Sequence, residues 1–244
     1  MPEGGRAGGQ HFTGVVAALY DEARCLAPLS AAIGAEVALP GGRLVLSGMG
    51  ALRATLAARR LVDVGATALL SWGTCGALDP ALRAGDVVLP EWVTTEDGAR
   101  HATDSAWGKR VQAALPQALK VVSGGALLSG DRTWTTPVDK ARGAVFGQAV
   151  DMESAALAQV AEQAGISFLV IRAVVDEAAQ SLPDAAVAGV DAIGRLRIGA
   201  FVAGLARRPR DVLALPALGR SFGHAAHNLR RIAACQPARL AFSR

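Results

Sequence analysis

The amino-acid sequence predicts an α/β fold, and residues 148–178 carry most of that prediction. Apolar or small residues recur every four positions over 152–164, as on one face of an α-helix, and Gly165 then supplies a helix stop. Residues 166–175 are almost continuously apolar, which is typical of a strand buried on both faces of a parallel sheet. The chain has 244 residues, 51% of them hydrophobic, and can therefore bury the core of one sizeable domain.

Further apolar runs predict strands at residues 15–20, 43–47, 68–72 and 120–129. A turn, Gly48-Met49-Gly50, leads from the second of these into a helix with Leu52, Leu56 and Leu61 on one side. The turn lacks the third glycine and the distant acid of a dinucleotide fingerprint, which argues against a Rossmann dehydrogenase. Asp104 is expected to cap a helix that extends to about Leu115.

Charge is unevenly distributed along the chain. The net charge is +4, but residues 195–244 hold ten arginines and one acid, so this tail carries +9 and the remainder about −5. Its apolar positions repeat at helical spacing, which favours an anionic membrane surface as partner over nucleic acid; a solvated face of the last domain helices is the alternative. We predict a disordered tail at 1–12, an α/β domain at 13–208 and a basic amphipathic helical extension at 209–244.

Cysteine usage and hydropathy indicate where the protein resides. Cys25, Cys75 and Cys235 lack the spacing of a metal site or a disulfide framework, as expected in a reducing cytoplasm. No apolar run reaches the roughly 18 residues needed to span a bilayer, and the N-terminal residues lack the apolar core of a signal peptide. We expect a cytoplasmic protein, peripheral to the membrane at most, with neither metal nor cofactor.

Acidic side chains mark the candidate site. Glu153 opens the helix of residues 152–164 and Asp176 ends the strand that follows, and ligands in α/β sheets gather beyond the carboxyl ends of strands. Glu22 follows the first strand, and the small residues Gly73-Thr74-Cys75-Gly76 follow the third, where backbone amides can cradle an anion or a water. The alternative is that Glu153, Asp176 and Glu22 are only helix and turn caps.

Three segments, AVDMESAA, VIRAVVDEA and SWGTCGALDPALRAGDVVLP, resemble the purine and uridine phosphorylase family, especially its methylthioadenosine/adenosylhomocysteine nucleosidase branch. The resemblance covers residues 15–178. It implies a nucleoside phosphorylase-like three-layer α/β/α sandwich with a mixed central sheet. It also implies an enzyme that cleaves the N-glycosidic bond of a purine nucleoside and releases adenine.

The resemblance also implies roles for individual residues. Met152 and Glu153 would hold the ribose, and Asp176 would protonate the departing base. Glu22 would position the attacking water, with Thr74 and Gly73 in the loop that binds water or phosphate. Gly50 belongs to the turn that backs the pocket.

This sequence departs from the family pattern at three places. Ser71 stands where phosphorylases have a phosphate-binding arginine, which favours water as nucleophile, although Arg172, Arg24 or Arg43 could replace that arginine and phosphate remains a candidate co-substrate. Thr133 takes the position of the base-stacking aromatic and Trp134 comes one residue later, so Trp134 either stacks on the base or packs in the core. Val175 replaces the serine that precedes the catalytic aspartate.

The basic tail, with residues 79–83 and 97–107, resembles the hopanoid-associated nucleoside phosphorylases, which act on adenosylhopane. That resemblance implies a 5′-substituted adenosine as substrate and a homodimer or larger homo-oligomer. A methylthioadenosine/adenosylhomocysteine nucleosidase is the alternative enzyme. A non-catalytic nucleoside-binding module is the alternative of another class.

Overall fold

The computed structural model describes residues 11–183, 186 and 188–235. Its strands are β1 (Phe12–Ala17), β2 (Glu36–Leu39), β3 (Gly42–Leu46), β4 (Ala66–Ala77), β5 (Val87–Leu89), β6 (Trp92–Thr94), β7 (Arg100–Ala102), β8 (Val121–Ser123), β9 (Ala126–Ser129), β10 (Ala149–Asp151) and β11 (Ser167–Asp176). Its α-helices are α1 (Tyr20–Ala23), α2 (Ala51–Asp63), α3 (Ser105–Ala114), α4 (Pro137–Gly143), α5 (Ser154–Ala164), α6 (Ile198–Arg207) and α7 (Leu215–Ala234), with a 3-10 helix at Pro209–Ala214.

The strands form one mixed sheet. One path runs β2-β3-β1-β4-β10-β9-β6-β7, while β11 pairs with both β4 and β5, and β5 continues to β8. The central pairs β1–β3, β1–β4 and β4–β11 are parallel, and the β4–β10 and β5–β11 pairs are antiparallel. The first half of β4 lies between β1 and β11, and its end pairs with β10, so this strand joins the two halves of the sheet.

Helices cover both faces of the central strands. Successive residues of a strand point to opposite faces, so Leu70 of β4 joins the core with α3 and α7, and Leu69 joins the core with α2 and α5. Trp107 of α3 is fully buried in the first core and Leu157 of α5 in the second. The predicted three-layer α/β/α fold with a mixed central sheet is confirmed.

Several predicted elements differ in the structure. The predicted strand 15–20 is β1 at Phe12–Ala17, and Tyr20 already belongs to α1. Residues 73–76, predicted as a loop after the strand 68–72, instead continue β4, which ends at Ala77. Residues 120–129 form two strands rather than one because Gly124 and Gly125 have φ values of +84° and +66°, which extended backbone cannot accommodate. The predicted apolar face of α2 is wrong. Leu52 and Leu56 are 74% and 60% exposed, and the helix buries Leu61 together with small residues at Ala54, Ala57 and Ala58.

The C-terminal part of the described chain packs on the sheet. Helix α7 buries Leu218, Ala225, Leu229 and Ile232, and the last three belong to the same core as Leu70. The apolar side of the predicted extension 209–244 is thus continuous with the domain core. Residues 236–244 and most of the predicted disordered tail 1–12 lie outside the described residues, and Phe12 already opens β1. None of the helices described has the length and apolar character needed to cross a bilayer.

Candidate active site

One cavity opens at the carboxyl ends of β1, β4 and β11. Seven residues of the predicted site line it: Glu22, Thr74, Thr133, Trp134, Met152, Glu153 and Asp176. Asp151, Leu19, Met49, Val175 and Leu182 complete much of the wall. The structure thus brings the predicted acids of three separate chain segments to one cavity; their chemical roles stay predictions.

Glu22 lies at the base of the cavity in α1, the short helix that follows β1. Its carboxylate accepts hydrogen bonds from the backbone N–H of Leu19 (3.0 Å) and from the N–H and hydroxyl of Thr74 (2.8 and 2.6 Å). Burial raises the pKa of Glu22 above its ordinary value, and the nearby Arg172 and these hydrogen bonds oppose the shift. The carboxylate is therefore held against β4, and burial, Arg172 and these hydrogen bonds together set its pKa.

Gly73 is needed because β4 passes directly under this carboxylate. A Cβ atom at this position would lie 2.6 Å from Oε2 of Glu22 and 2.6 Å from Nη1 of Arg172. Both distances are far below van der Waals contact. Gly73 therefore contributes to the site through close packing and does not itself line the cavity.

Glu153 closes another wall where β10 leads into α5. Its Oε1 accepts a hydrogen bond from the backbone N–H of Gly50 at 2.8 Å, and Gly50 has the positive φ of +98° that favours glycine. Burial and the neighbouring Asp151 raise the pKa of Glu153 to about 7, while Arg172 opposes the shift. Met152 precedes Glu153 and also lines the cavity.

Arg172 of β11 is a buried cation beneath these acids. Its Nη2 lies 2.5 Å from Oδ2 of Asp151 and 3.9 Å from Oε2 of Glu153, and it donates to the hydroxyls of Ser71 (2.7 Å) and Ser154 (3.2 Å). The predicted arginine is thus next to the cavity but holds internal partners. Arg24 and Arg43, the other candidates for phosphate binding, are about half exposed and pair with Asp21 and Glu36.

Asp176 ends β11, is buried and lines the same cavity. Burial raises the pKa of Asp176, and the ammonium group of Lys140 opposes that shift. Lys140, in α4, is fully buried and pairs with Oδ2 of Asp176. Sequence reasoning missed this pair. The available signal was weak: Lys140 is one of three lysines in a chain with 22 arginines.

Trp134 combines the two interpretations made from the sequence. It lines the cavity, yet it is only 3% exposed and packs with Leu78, Leu128 and Val150 in a small core. The guanidinium of Arg132 lies over its ring at 3.8 Å. Thr133, which takes the family position of the stacking aromatic, also lines the cavity.

Several wall residues were not anticipated from the sequence. Asp151 lines the cavity although it was not among the predicted site residues. Its partner Ser154, also not predicted, has its hydroxyl 2.5 Å from Asp151 and 3.0 Å from the hydroxyl of Ser71. Within residues 11–183, 186 and 188–235, no group of three or more His, Cys, Asp or Glu side chains is arranged to hold a metal ion.

A protein-family model described as the phosphorylase superfamily matches residues 39–207. The chain belongs to the phosphorylase superfamily. This confirms the predicted family and the prediction of an enzyme of the nucleoside phosphorylase and nucleosidase class.

A 5′-methylthioadenosine/S-adenosylhomocysteine nucleosidase of Geobacillus kaustophilus is 32% identical over 159 residues, which make up 56% of this chain and 67% of that protein. The corresponding protein of Marinomonas is 30% identical over 161 residues, or 57% and 70% of the two chains.

Solved structures agree with the fold. The 5′-methylthioadenosine/S-adenosylhomocysteine nucleosidase of Colwellia psychrerythraea, solved with adenine, superposes with a TM-score of 0.67 at 20% identity, over 95% of this chain and 96% of that one. The futalosine hydrolase of Helicobacter pylori gives a TM-score of 0.64 at 18% identity, over 92% and 98% of the two chains. At these identities the similarity describes the architecture.

Proposed function

We propose that this enzyme cleaves the N-glycosidic bond of a purine nucleoside and releases adenine. The observation that carries the proposal is the shared cavity of Glu22, Glu153 and Asp176, each buried and each held by defined partners. The similarity to 5′-methylthioadenosine/S-adenosylhomocysteine nucleosidases and the adenine bound in one structural neighbour support a purine as the base.

The proposed reaction separates charge between the sugar and the base. As the C1′–N9 bond breaks, its electron pair moves to the purine, and the carboxyl proton of Asp176 passes to N7 as general acid. The ionised Glu153 binds the 2′-hydroxyl and stabilises the cationic sugar, with Met152 packed against the ring. Water, oriented by Glu22 and Thr74, adds to C1′ and gives its proton to Glu22.

Water suits the nucleophile position better than phosphate. Arg172 already contacts Asp151 and Ser71, and Arg132 at the cavity wall already pairs with Glu96. An incoming phosphate would meet the anions of Glu22 and Glu153 that the reaction needs, without a free bidentate partner. In phosphate-free buffer we expect free ribose and adenine at full rate. Release of adenine that requires added phosphate and yields ribose 1-phosphate would overturn the choice of water.

For the 5′ substituent we propose an apolar group, with adenosylhopane first and methylthioadenosine or adenosylhomocysteine as the alternative. Leu19, Met49 and Leu182 contribute apolar side chains to the cavity wall. Incubation with adenosine, methylthioadenosine and adenosylhopane, followed by quantification of adenine, ranks the substrates by kcat/KM. Binding of all three without release of adenine would instead identify a non-catalytic nucleoside-binding module.

We also propose that the exposed part of α6 contacts an anionic membrane surface. Leu196, Ile198 and Val202 are 56%, 71% and 56% exposed, and they are accompanied by exposed arginines at 195, 197, 207 and 208. The loop before this helix contacts the cavity wall: the carbonyl of Ala192 accepts from the N–H of Met49 at 2.7 Å. An apolar group rimmed by cations suits a bilayer with acidic headgroups.

Sedimentation with vesicles tests this contact. We expect binding to phosphatidylserine-containing vesicles that weakens with salt, and loss of binding in the Ile198→Ser, Val202→Ser double variant. Val145→Ser is a control because Val145 is also exposed, at 79%, but lies between α4 and β10. Failure of the wild-type protein to bind these vesicles at low salt contradicts the proposal.

A homodimer remains our expectation for the assembly. The exposed Leu52 and Leu56 of α2 are the apolar side chains that a second copy would cover. Sedimentation equilibrium of wild type and of the Leu52→Glu, Leu56→Glu double variant tests this expectation. A monomeric wild type at micromolar concentration contradicts it.

A further inference from the structure

Lys140 is a buried cation without a role in the mechanism described so far. Helix α4 begins after Thr136, whose hydroxyl accepts from the N–H of Asp139, and one turn later the helix directs Lys140 into the protein. Its Nζ donates to Asp176, to the carbonyl of Glu177 (2.7 Å) and to the carbonyl of Gln180 (2.8 Å). These three acceptors match the three N–H bonds of an ammonium group.

This arrangement is costly unless the charge is used or balanced. A buried ammonium is tolerated only with a charged partner and satisfied hydrogen bonds, and Lys140 has both. A purely structural site on the same chain could be filled by an apolar side chain at no loss of stability. Because Lys140 pairs with a carboxyl group that lines the cavity, we infer a contribution of Lys140 to the reaction.

Other charged groups around the pair have different partners. On α4, Asp139 and Arg142 pair with each other at 3.8 Å on the exposed side. On the loop after β11, Glu177 directs its carboxylate to the N–H of Ala84 at 3.4 Å. From β4, the buried thiol of Cys75 has its pKa raised, chiefly by burial, and stays neutral. Lys140 is therefore the cation that pairs with Asp176 among the residues described.

We propose that Lys140 is the positioning residue for Asp176: it orients the carboxyl group and stabilises the carboxylate that forms when Asp176 gives its proton to the base. The ammonium contacts Oδ2, so Oδ1 is the oxygen left to carry the proton toward the substrate. On proton transfer Asp176 changes from neutral acid to anion, and Lys140 keeps its own three protons. Lys140 does not line the cavity, so it acts only through Asp176.

The substitution Lys140→Met removes the charge and keeps the length of the side chain. Without the ammonium, burial acts on Asp176 unopposed, so its carboxyl group holds its proton to higher pH and becomes a weaker acid. Because this inference rests on the proposed base cleavage, we expect kcat to fall about 10- to 100-fold with KM nearly unchanged. The basic limb of the kcat–pH profile should move upward by roughly 1 to 3 pH units, the usual effect of one opposite charge.

Matched variants separate this role from packing. Lys120→Met removes another lysine paired with an aspartate, Asp86 at 2.6 Å, outside the cavity, and should change neither kcat nor the pH profile. Lys140→Arg keeps the charge and should return the basic limb toward its wild-type position. A fall in kcat for Lys140→Met without a shift of that limb would show a structural role and overturn the proposal.

A measurement without turnover keeps the inference separate from the proposed function. Carbon-13 NMR titration of the side-chain carboxyls, with Asp176 assigned through Asp176→Asn, compares the protonation of Asp176 in wild type and Lys140→Met. We expect its midpoint to rise by roughly 1 to 3 units in the variant. An unchanged midpoint overturns the role of Lys140 even if the enzyme releases adenine. A raised midpoint in a protein that releases no base supports the role of Lys140 and refutes the proposed reaction.

Discussion

The two sides of the cavity balance buried acids with different cations. On the sugar side, which is the side of Glu153 that we propose binds the ribose, Arg172 contacts Asp151, lies 3.9 Å from Glu153 and bonds to the Ser71 hydroxyl. On the base side, which is the side of Asp176 that we propose protonates the purine, Lys140 pairs with Asp176 alone among the acids described. Arginine stays charged and holds several partners in a fixed plane, whereas lysine is a compact charge that acts on one oxygen. In the proposed reaction this difference fits a sugar site that acts with Glu153 ionised, beside a carboxyl group of Asp176 that must exchange a proton.

The largest expected effect comes from removing the acid on the base side. Asp176→Asn should lower kcat about 10²- to 10⁴-fold, because an amide cannot supply the proton that the leaving purine needs. The measurement is adenine release at saturating nucleoside. Asp86→Asn is the control, since Asp86 is also buried and paired with a lysine but lies outside the cavity. Wild-type turnover in Asp176→Asn would refute the proposed role.

On the sugar side, Arg172→Met should reduce stability most. The substitution leaves Asp151 and Glu153 without their cation, and breaking such a buried pair costs about 3 to 5 kcal/mol. Urea unfolding at pH 7 measures the loss. Arg142→Met, at a 73% exposed side chain, should change stability by less than about 0.5 kcal/mol. Equal unfolding midpoints for wild type and Arg172→Met would show that this network contributes nothing.

A smaller effect is expected where the sugar side meets β4. In Gly73→Ala the new methyl would lie 2.6 Å from Glu22, so the carboxylate must shift, and a misplacement of about 1 Å can cost about 10²-fold in rate. The readout is kcat/KM. Gly219→Ala serves as the control because its Cβ meets open space on α7. An unaltered rate would mean that the position of Glu22 is not critical.

The pH profile of activity should have an acidic limb set by Glu153 and a basic limb set by Asp176. Glu153 must be ionised to stabilise the sugar, and its raised pKa of about 7 makes kcat/KM fall about tenfold per unit below that pH. Asp176 must be protonated, so activity is lost as pH rises through its own raised pKa, which sets the basic limb. A profile that is flat from pH 5 to 7 would contradict the assignment of Glu153.

Sequence reasoning predicted the parts of the site that follow a continuous local pattern. Glu153 and Asp176 are the ends of one helix-strand unit, so their common cavity follows from the carboxyl-end rule for α/β sheets. Lys140 was missed because its charged neighbours Asp139 and Arg142 are typical of a solvent-exposed helix. Its partner Asp176 is 36 residues away, and local spacing carries no information about such a pair.

Fold predictions failed where small residues decide the packing. The leucines of α2 suggested one apolar face, but the helix buries the small residues Ala54 and Ala58 and leaves Leu52 exposed. The double glycine at 124 and 125 divides a run that hydropathy alone treats as one strand. The hydrophobic pattern therefore located the central strands better than it located the short strands, the helix faces and the element ends.

The direction of the Ser71 side chain limits how a phosphate-binding arginine could be introduced at this position. Ser71 is 1% exposed, and its hydroxyl lies 2.7 Å from Arg172 and 3.0 Å from the hydroxyl of Ser154, so it faces inward. A guanidinium introduced at this position would confront an existing cation in a closed space. An arginine at position 71, introduced by evolution or engineering, would therefore require new contacts for Ser154 and Asp151 as well, and a single exchange at this position is insufficient.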